Sequence, residues 1–114
     1  DLKASAIKNK PTNIKELEWF FSTQRLCEII YDLRNSESIY INSGLASKRN
    51  WYRAGYKGGS EAGVLQYTHL LQKEKGSDIY TISLTVNNSD RNIQQSKIQE
   101  ILSRFISLIK KEKI

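Results

Sequence analysis

The tetrapeptide Lys57-Gly58-Gly59-Ser60 brings together residue types that can bind an anion. A lysine supplies a compact positive charge, two glycines leave the backbone N–H groups bare, and a serine supplies a hydroxyl donor. Aromatic residues precede the tetrapeptide, and the strand-like segment Val64 to Leu71 follows it. Such a set at the end of a strand suits an anionic group, or an oxyanion that develops during a reaction.

Three segments that flank or follow this tetrapeptide have the pattern of β-strands: 51–57, 64–71 and 78–86. In the third, Tyr80, Ile82, Leu84 and Val86 alternate with hydroxyl residues, which is the period of a half-buried strand. The links between the segments are short, so neighbouring strands are expected to pair antiparallel. We expect the glycine pair to end the first strand.

Two segments have the spacing of amphipathic helices. Leu26, Ile29, Ile30 and Leu33 predict a helix over 23–34, with Ser22 or Thr23 as its N-cap. Near the C-terminus, Ser89 or Asp90 is expected to cap a closing helix that lies across the sheet. Its predicted apolar stripe consists of Ile98, Ile101, Leu102, Phe105, Leu108 and Ile109.

The predicted fold class is therefore α+β, one half of an α/β sandwich. It consists of a three-stranded antiparallel sheet with an N-terminal helix and a C-terminal helix packed on it. Residues 1–21 are expected to form an irregular lead-in, Ile39 to Ile41 a short extended piece, and the rest of 36–50 turns and loop.

Composition narrows the class of protein. The chain has 114 residues, 39% of them hydrophobic and 26% charged, which is typical of one globular domain. No stretch approaches the roughly 20 apolar residues that a membrane helix needs. The net charge of +6 is compatible with nucleic acid, an anionic surface or an acidic substrate. Because the chain has no Met, we expect a processed product, a trimmed chain or a fragment.

Two residues that often serve as metal ligands or catalysts occur once each. Cys27 falls in a helical apolar pattern, where a free thiol behaves as a small hydrophobe. His69 has apolar strand neighbours and is expected to be packed. One histidine and one cysteine make no metal site, so we expect no metal and no cofactor.

The tetrapeptide in its setting resembles a family motif. From Ser22 to the C-terminus the chain resembles the C-terminal part of the class A β-lactamase and penicillin-binding-protein superfamily. There, a Lys-Thr-Gly strand faces the catalytic serine, and two antiparallel strands and a helix follow. Segment 57–64 takes the place of that strand, and Gly44-Leu45-Ala46 with Trp51 resembles the loop that leads into it.

The resemblance implies roles for four substrate-binding residues. Lys57 is similar to the lysine that supplies positive charge to the substrate carboxylate, and Gly59 to the glycine against which the substrate lies. Ser60 falls where a strand N–H completes the oxyanion hole. Gly58 departs from the family, which has Thr or Ser at this position with a side-chain hydroxyl that binds the substrate carboxylate. The hydroxyl of Ser60 is expected to replace that hydroxyl in part.

The family's other catalytic elements are not found in context. Ser5-Ala6-Ile7-Lys8 fits the Ser-x-x-Lys pattern of the nucleophile but lies too close to Lys57, and Ser89-Asp90-Arg91 lacks the Asn of Ser-Asp-Asn. Glu16 and Glu18 lack the surroundings of a deacylating glutamate. No catalytic residue is therefore assigned in this chain, and the 114 residues alone are expected to be inactive.

The resemblance implies one partial domain, 1–114, the C-terminal segment of a serine hydrolase. The parent's substrate would be a β-lactam or a related amide or ester, with no nucleic-acid partner, and its location secreted or periplasmic. Such a segment is expected to dimerise or swap strands. The alternative is a small basic α+β module that binds nucleic acid or another protein, indicated by the net charge and the basic and aromatic residues of 53–58.

Overall fold

The computed structural model describes residues 20–90 and 93–112. Two helices flank a three-stranded antiparallel sheet of strand order β1-β2-β3. The elements are α1 (Thr23–Asp32), β1 (Arg53–Glu61), β2 (Val64–Gln72), β3 (Ile79–Asn87) and α2 (Gln95–Lys111), with short 3₁₀ helices at Glu37–Tyr40 and Lys48–Asn50. The predicted α+β class, with an N-terminal and a C-terminal helix on a three-stranded antiparallel sheet, is confirmed.

The first helix begins where its capping residue predicts. The Ser22 side chain accepts a hydrogen bond of 3.0 Å from the Arg25 N–H, which satisfies one of the unpaired donors of the first turn. The helix ends at Asp32, two residues before the predicted end, with Leu33 as its C-cap. Of the expected lead-in, residues 1–19 lie outside the described residues, and Phe20 and Phe21 are exposed.

Strand β1 does not end at the glycine pair, so that boundary prediction is wrong. The strand continues to Glu61, with Gly58 opposite Tyr67 and Gly59 opposite Gln66. The chain reverses instead at the two-residue turn Ala62-Gly63, where Gly63 has a φ of 76°. Cross-strand pairing in register with β2 outweighs the low strand preference of glycine.

The central strand β2 is buried on both faces. On one face, Leu70 packs with Ile30 of α1 and with Ile39. On the other, Leu71 belongs to a cluster with Leu102 and Ile106 of α2. Successive strand residues point to opposite faces, so the sheet has an α1 face and an α2 face. The alternation predicted for β3 is confirmed, because the four residues of its predicted apolar face, Tyr80, Ile82, Leu84 and Val86, all pack on the α2 cluster.

The closing helix starts later than predicted. Its N-cap is Gln94 rather than Ser89 or Asp90, and the latter two are exposed in the preceding loop. Part of the predicted stripe is also wrong. Leu102 is buried and Ile98 and Ile109 are half-buried, but Ile106, which the stripe omits, is buried, and Ile101, Phe105 and Leu108 are 52%, 58% and 58% exposed.

The segment between α1 and β1 differs from its prediction at one point. Residues 37–40 form a 3₁₀ helix rather than an extended piece, and Ile41 follows in a helical conformation. The turn directs Ile39 into the α1 cluster, which consists of Ile30, Ile39 and Leu70, and Ile41 is exposed. Trp51, by contrast, is buried in the α2 cluster.

Truncating two leucines of α2 separates its buried and exposed faces. We expect Leu102→Ala to lower the free energy of unfolding by about 2 to 4 kcal/mol, because the side chain leaves a cavity against the sheet. Leu108→Ala, with the same chemistry on the exposed face, should change it by less than about 0.5 kcal/mol. Urea unfolding measures both, and equal losses in the two variants would contradict the packing described.

Candidate functional site

Strand β1 is an edge strand, and its open edge carries backbone groups of the predicted tetrapeptide. Within the described residues β1 pairs only with β2. Because a two-residue turn joins the strands, Glu61 and Val64 form the closing hydrogen-bonded pair. The alternation along the strand then directs the N–H and C=O groups of Gly58 and Ser60 away from β2. An incoming ligand can therefore bind these groups as an added strand would.

The side chains of the tetrapeptide divide between the two faces of the sheet. Lys57 and Gly59 lie opposite Thr68 and Gln66 on the α1 face, and Gly58 and Ser60 lie opposite Tyr67 and Leu65 on the α2 face. The structure thus brings all four predicted binding residues to one edge but does not bring their side chains into one cluster. Only the backbone of the edge is shared by both faces.

Lys57 lies at the border of a hollow on the α1 face. Its side chain is exposed, and its Nζ donates to the Gly58 carbonyl at 2.5 Å. The hollow has a volume of about 300 Å³ and is lined by Leu26, Ile29, Ile30, Leu33, Ser38, Ile39, Tyr56, Lys57, Gln66 and Thr68. None of these described residues is acidic, so the ammonium group is the dominant charge among them.

A second, smaller hollow lies on the α2 face of the same edge. Its volume is about 240 Å³, and it is lined by Tyr56, Gly58, Gly59, Ser60, Leu65, Gln66, Tyr67 and Gln95. The described residues that line it offer hydroxyls and amides but no formal charge. Among these residues it therefore lacks the cation that the α1 side has.

Gly58 is a glycine because a tyrosine hydroxyl occupies the space of its side chain. A Cβ added at Gly58 would lie 1.8 Å from Tyr56 Oη. The Tyr56 ring is held by His69, at 4.8 Å between ring centroids, and by Tyr67, at 6.3 Å. Burial, with a smaller contribution from Tyr67, raises the pKa of Tyr56. Gly58 lacks the hydroxyl that a Thr or Ser would have in the motif of the predicted family, and the hydroxyl of Tyr56, two positions earlier, occupies that space. The sequence analysis missed this, although strand residues two apart share a face.

Gly59 is different, because nothing in the described part of the chain requires a glycine there. A Cβ at Gly59 would meet no atom of the described residues within 4 Å, and the residue has no positive φ. Glycine in a strand interior costs stability relative to residues with a side chain. Its presence beside Lys57 leaves the surface of the α1 face bare where a ligand could approach the backbone.

His69, which was expected to be packed, is fully buried on β2 beneath a loop. Its Nε2 accepts a hydrogen bond of 3.1 Å from the Leu45 N–H, so the proton lies on Nδ1, which has no partner in the described structure. Gly44 has a φ of 59° and approaches the ring so closely that a Cβ would lie 2.4 Å from Nε2. Burial lowers the pKa of His69 to about 4, so the imidazole is neutral and holds the loop.

The other residues that the sequence analysis considered are not part of this edge. Cys27 is a half-buried free thiol. Among residues 20–90 and 93–112, no group of three or more His, Cys, Asp or Glu could hold a metal ion, and no helix is long and apolar enough to cross a bilayer. Ser5, Glu16 and Glu18 lie outside the described residues.

The basic and aromatic residues of 53–58 are largely engaged within the protein. Arg53 Nε donates to Gln72 Oε1 at 2.8 Å, and its guanidinium lies over the rings of Tyr40 and Tyr52. Tyr56 packs on His69 and is not free to stack on a base. The nucleic-acid-binding or protein-interaction alternative stays a prediction.

No protein-family model, curated protein or solved structure matches this chain. The β-lactamase-like resemblance therefore depends on the motif and the order of the elements, and it stays a prediction.

Adding one methyl group at each glycine of the pair distinguishes their roles. We expect Gly58→Ala to lower the free energy of unfolding by about 1 to 3 kcal/mol, because Tyr56 must leave its contacts. Gly59→Ala should leave it unchanged or raise it by about 0.5 kcal/mol, since open space receives the methyl group. Thermal or urea unfolding of the two variants measures this, and a larger loss at Gly59 would contradict the described packing.

The buried histidine predicts a pH dependence of stability. Because the pKa of His69 is about 4 in the folded chain and 6.5 in its ordinary state, the unfolded chain binds more protons between these values. The stabilisation is complete above pH 6.5 and falls as the pH is lowered towards 4, by up to about 3 kcal/mol.

Urea titrations at several pH values measure this slope. His69→Phe removes the chain's single histidine, so the slope between about pH 6.5 and pH 5 should flatten even if the variant is less stable overall. An unchanged slope would show that another group titrates.

Proposed function

We propose that this chain is the C-terminal part of a β-lactamase-like serine hydrolase and that the open edge of β1 binds its substrate. In this proposal Lys57 attracts the carboxylate of an acyl substrate, and the Ser60 N–H completes the oxyanion hole. The observation that carries the proposal is the open edge itself. Lys57, a bare Gly59 and the outward N–H of Ser60 occur within four residues of one edge strand, whose outer edge has no partner among the described residues.

The edge supplies both charge and direction to a bound substrate. Of the three donor hydrogens of the Lys57 ammonium, one bonds to the Gly58 carbonyl, so two remain for a carboxylate. The Gly58 carbonyl and the Ser60 N–H alternate along the edge, as an extended amide substrate would require of a neighbouring strand. A carbonyl oxygen near the Ser60 N–H would be polarised as it becomes an oxyanion.

Tyr56 supports the proposal at the position where the family motif is not matched. Its hydroxyl fills the place of a side chain at Gly58 and makes no hydrogen bond to the described residues. It is therefore available to donate to a substrate group at the edge, as a Thr or Ser hydroxyl would be. The nucleophile would come from outside this chain, which explains why no catalytic serine is assigned within it.

The test is acylation of the full-length protein that contains this chain. After incubation with benzylpenicillin, intact mass spectrometry should show a gain of one penicillin mass. Lys57→Ala should slow this acylation roughly 10²-fold, since a preorganised positive group is removed from the site. Lys75→Ala, which removes an exposed lysine from the β2–β3 turn, is the matched control and should acylate at the unaltered rate.

The 114-residue chain alone should not hydrolyse nitrocefin. Turnover by this chain would contradict the assignment of the nucleophile to another part of the protein. Full-length protein that is folded but gains no mass with benzylpenicillin or with an activated ester would contradict the hydrolase proposal.

A further inference from the structure

The hollow on the α1 face has a chemistry of its own, and we propose that it binds the apolar side group of an amphipathic carboxylate whose head is held by Lys57. The inference deepens the proposed function and rests on it, because it assigns a substrate class to the same edge. The ligands it points to are fatty or aryl carboxylates rather than small polar acids.

One wall of the hollow is apolar. Five aliphatic side chains of α1 and the following turn line it: Leu26, Ile29, Ile30, Leu33 and Ile39. Ile30 and Ile39 are buried in the α1 cluster, but Leu26 and Ile29 are only half-buried and Leu33 is 44% exposed. These three therefore present apolar surface to the hollow that the described residues do not cover.

The opposite wall is polar, but its polar groups already have hydrogen-bond partners. Gln66 and Thr68 bond to each other at 2.8 Å, and both bond to Ser83 at 2.8 and 3.0 Å. Thr68 is buried beneath this network. These groups have little left to offer a ligand, so a charged head would not bind there.

The border of the hollow carries a positive charge. Lys57 is the one charged residue among the described residues that line the hollow, and Gly59 beside Lys57 has no side chain to block access from the edge. A cationic ligand would be repelled, and a sugar would leave its hydroxyls unpaired against the aliphatic wall. A carboxylate that carries a hydrocarbon or aryl group fits both the Lys57 ammonium and the aliphatic wall. The volume of about 300 Å³ corresponds to roughly ten water-sized groups.

The experiment is an NMR titration of the 114-residue chain, labelled in its amides and in its Leu and Ile methyl groups. Octanoate is the probe. Acetate, which has the same carboxylate without the long chain, and octylammonium, which has an eight-carbon chain with a positive charge, are the control ligands. We expect octanoate to shift the amides of Lys57 and Gly59 together with the methyls of Leu26, Ile29 and Leu33. It should bind at least about tenfold more tightly than acetate, because the hydrocarbon leaves water. Octylammonium should bind more weakly than octanoate.

Two variants, each with a matched control, test separately the binding of the carboxylate and the binding of the hydrocarbon chain. Lys57→Gln should weaken octanoate and acetate alike by about two- to fivefold, whereas Lys75→Gln should change neither. Leu33→Asn should weaken octanoate about three- to tenfold without affecting acetate. Leu108→Asn places the same change on exposed surface of α2, across the sheet, and should leave both affinities unchanged.

The outcomes separate this inference from the proposed function. If octanoate and acetate shift the edge amides equally and the methyls of α1 do not respond, the inference is overturned and the edge remains a carboxylate site. If octylammonium equals octanoate, or if Lys57→Gln has no effect on octanoate, the assignment of the head to Lys57 is overturned. Penicillin acylation of the full-length protein tests the hydrolase proposal independently of all three.

Discussion

The burial of β2 on both faces is the constraint on which the other elements depend. Leu70 and Leu71 are consecutive residues and both are completely buried, although a strand directs them to opposite sides. A single layer of helices cannot cover both. The chain therefore places α1 and the turn at Ile39 on one side and α2 on the other, and the hydrophobic effect fixes the position of the sheet between them.

The position of β2 also determines which backbone groups are available for binding. Because β2 pairs on both of its edges, its own N–H and C=O groups are used, and the open backbone groups lie on β1 and β3. The glycine pair lies on β1, within Arg53–Glu61. The two glycines differ in what surrounds them. A side chain at Gly58 would collide with Tyr56, whereas a side chain at Gly59 would meet no atom of the described structure. A glycine that the fold does not require is a stronger indication of ligand approach than one that it does.

A series of contacts connects this edge to a loop that is distant along the chain. Leu45 donates to His69, the His69 ring packs on Tyr56, and the Tyr56 hydroxyl covers Gly58. Neutral His69 is the middle of this series, because only its neutral form can accept the Leu45 N–H at Nε2. The order of the site therefore depends on a buried histidine that does not itself line either hollow. Its unpaired Nδ1–H is a cost that the surrounding packing must offset.

The sequence by itself determined the features that depend on near neighbours. The Ser22 cap, the alternation of β3 and the antiparallel order of three strands follow from local periods and short links, and the structure has all of them. The candidate tetrapeptide was also visible from residue type. Tertiary structure decided what depends on distant partners. Only pairing with β2 carries β1 through two glycines, only the sheet selects Ile106 over Phe105 as a core residue, and only the packing on His69 places Tyr56 over Gly58. These choices are made by side chains and strands that are remote in sequence, so no local pattern could encode them.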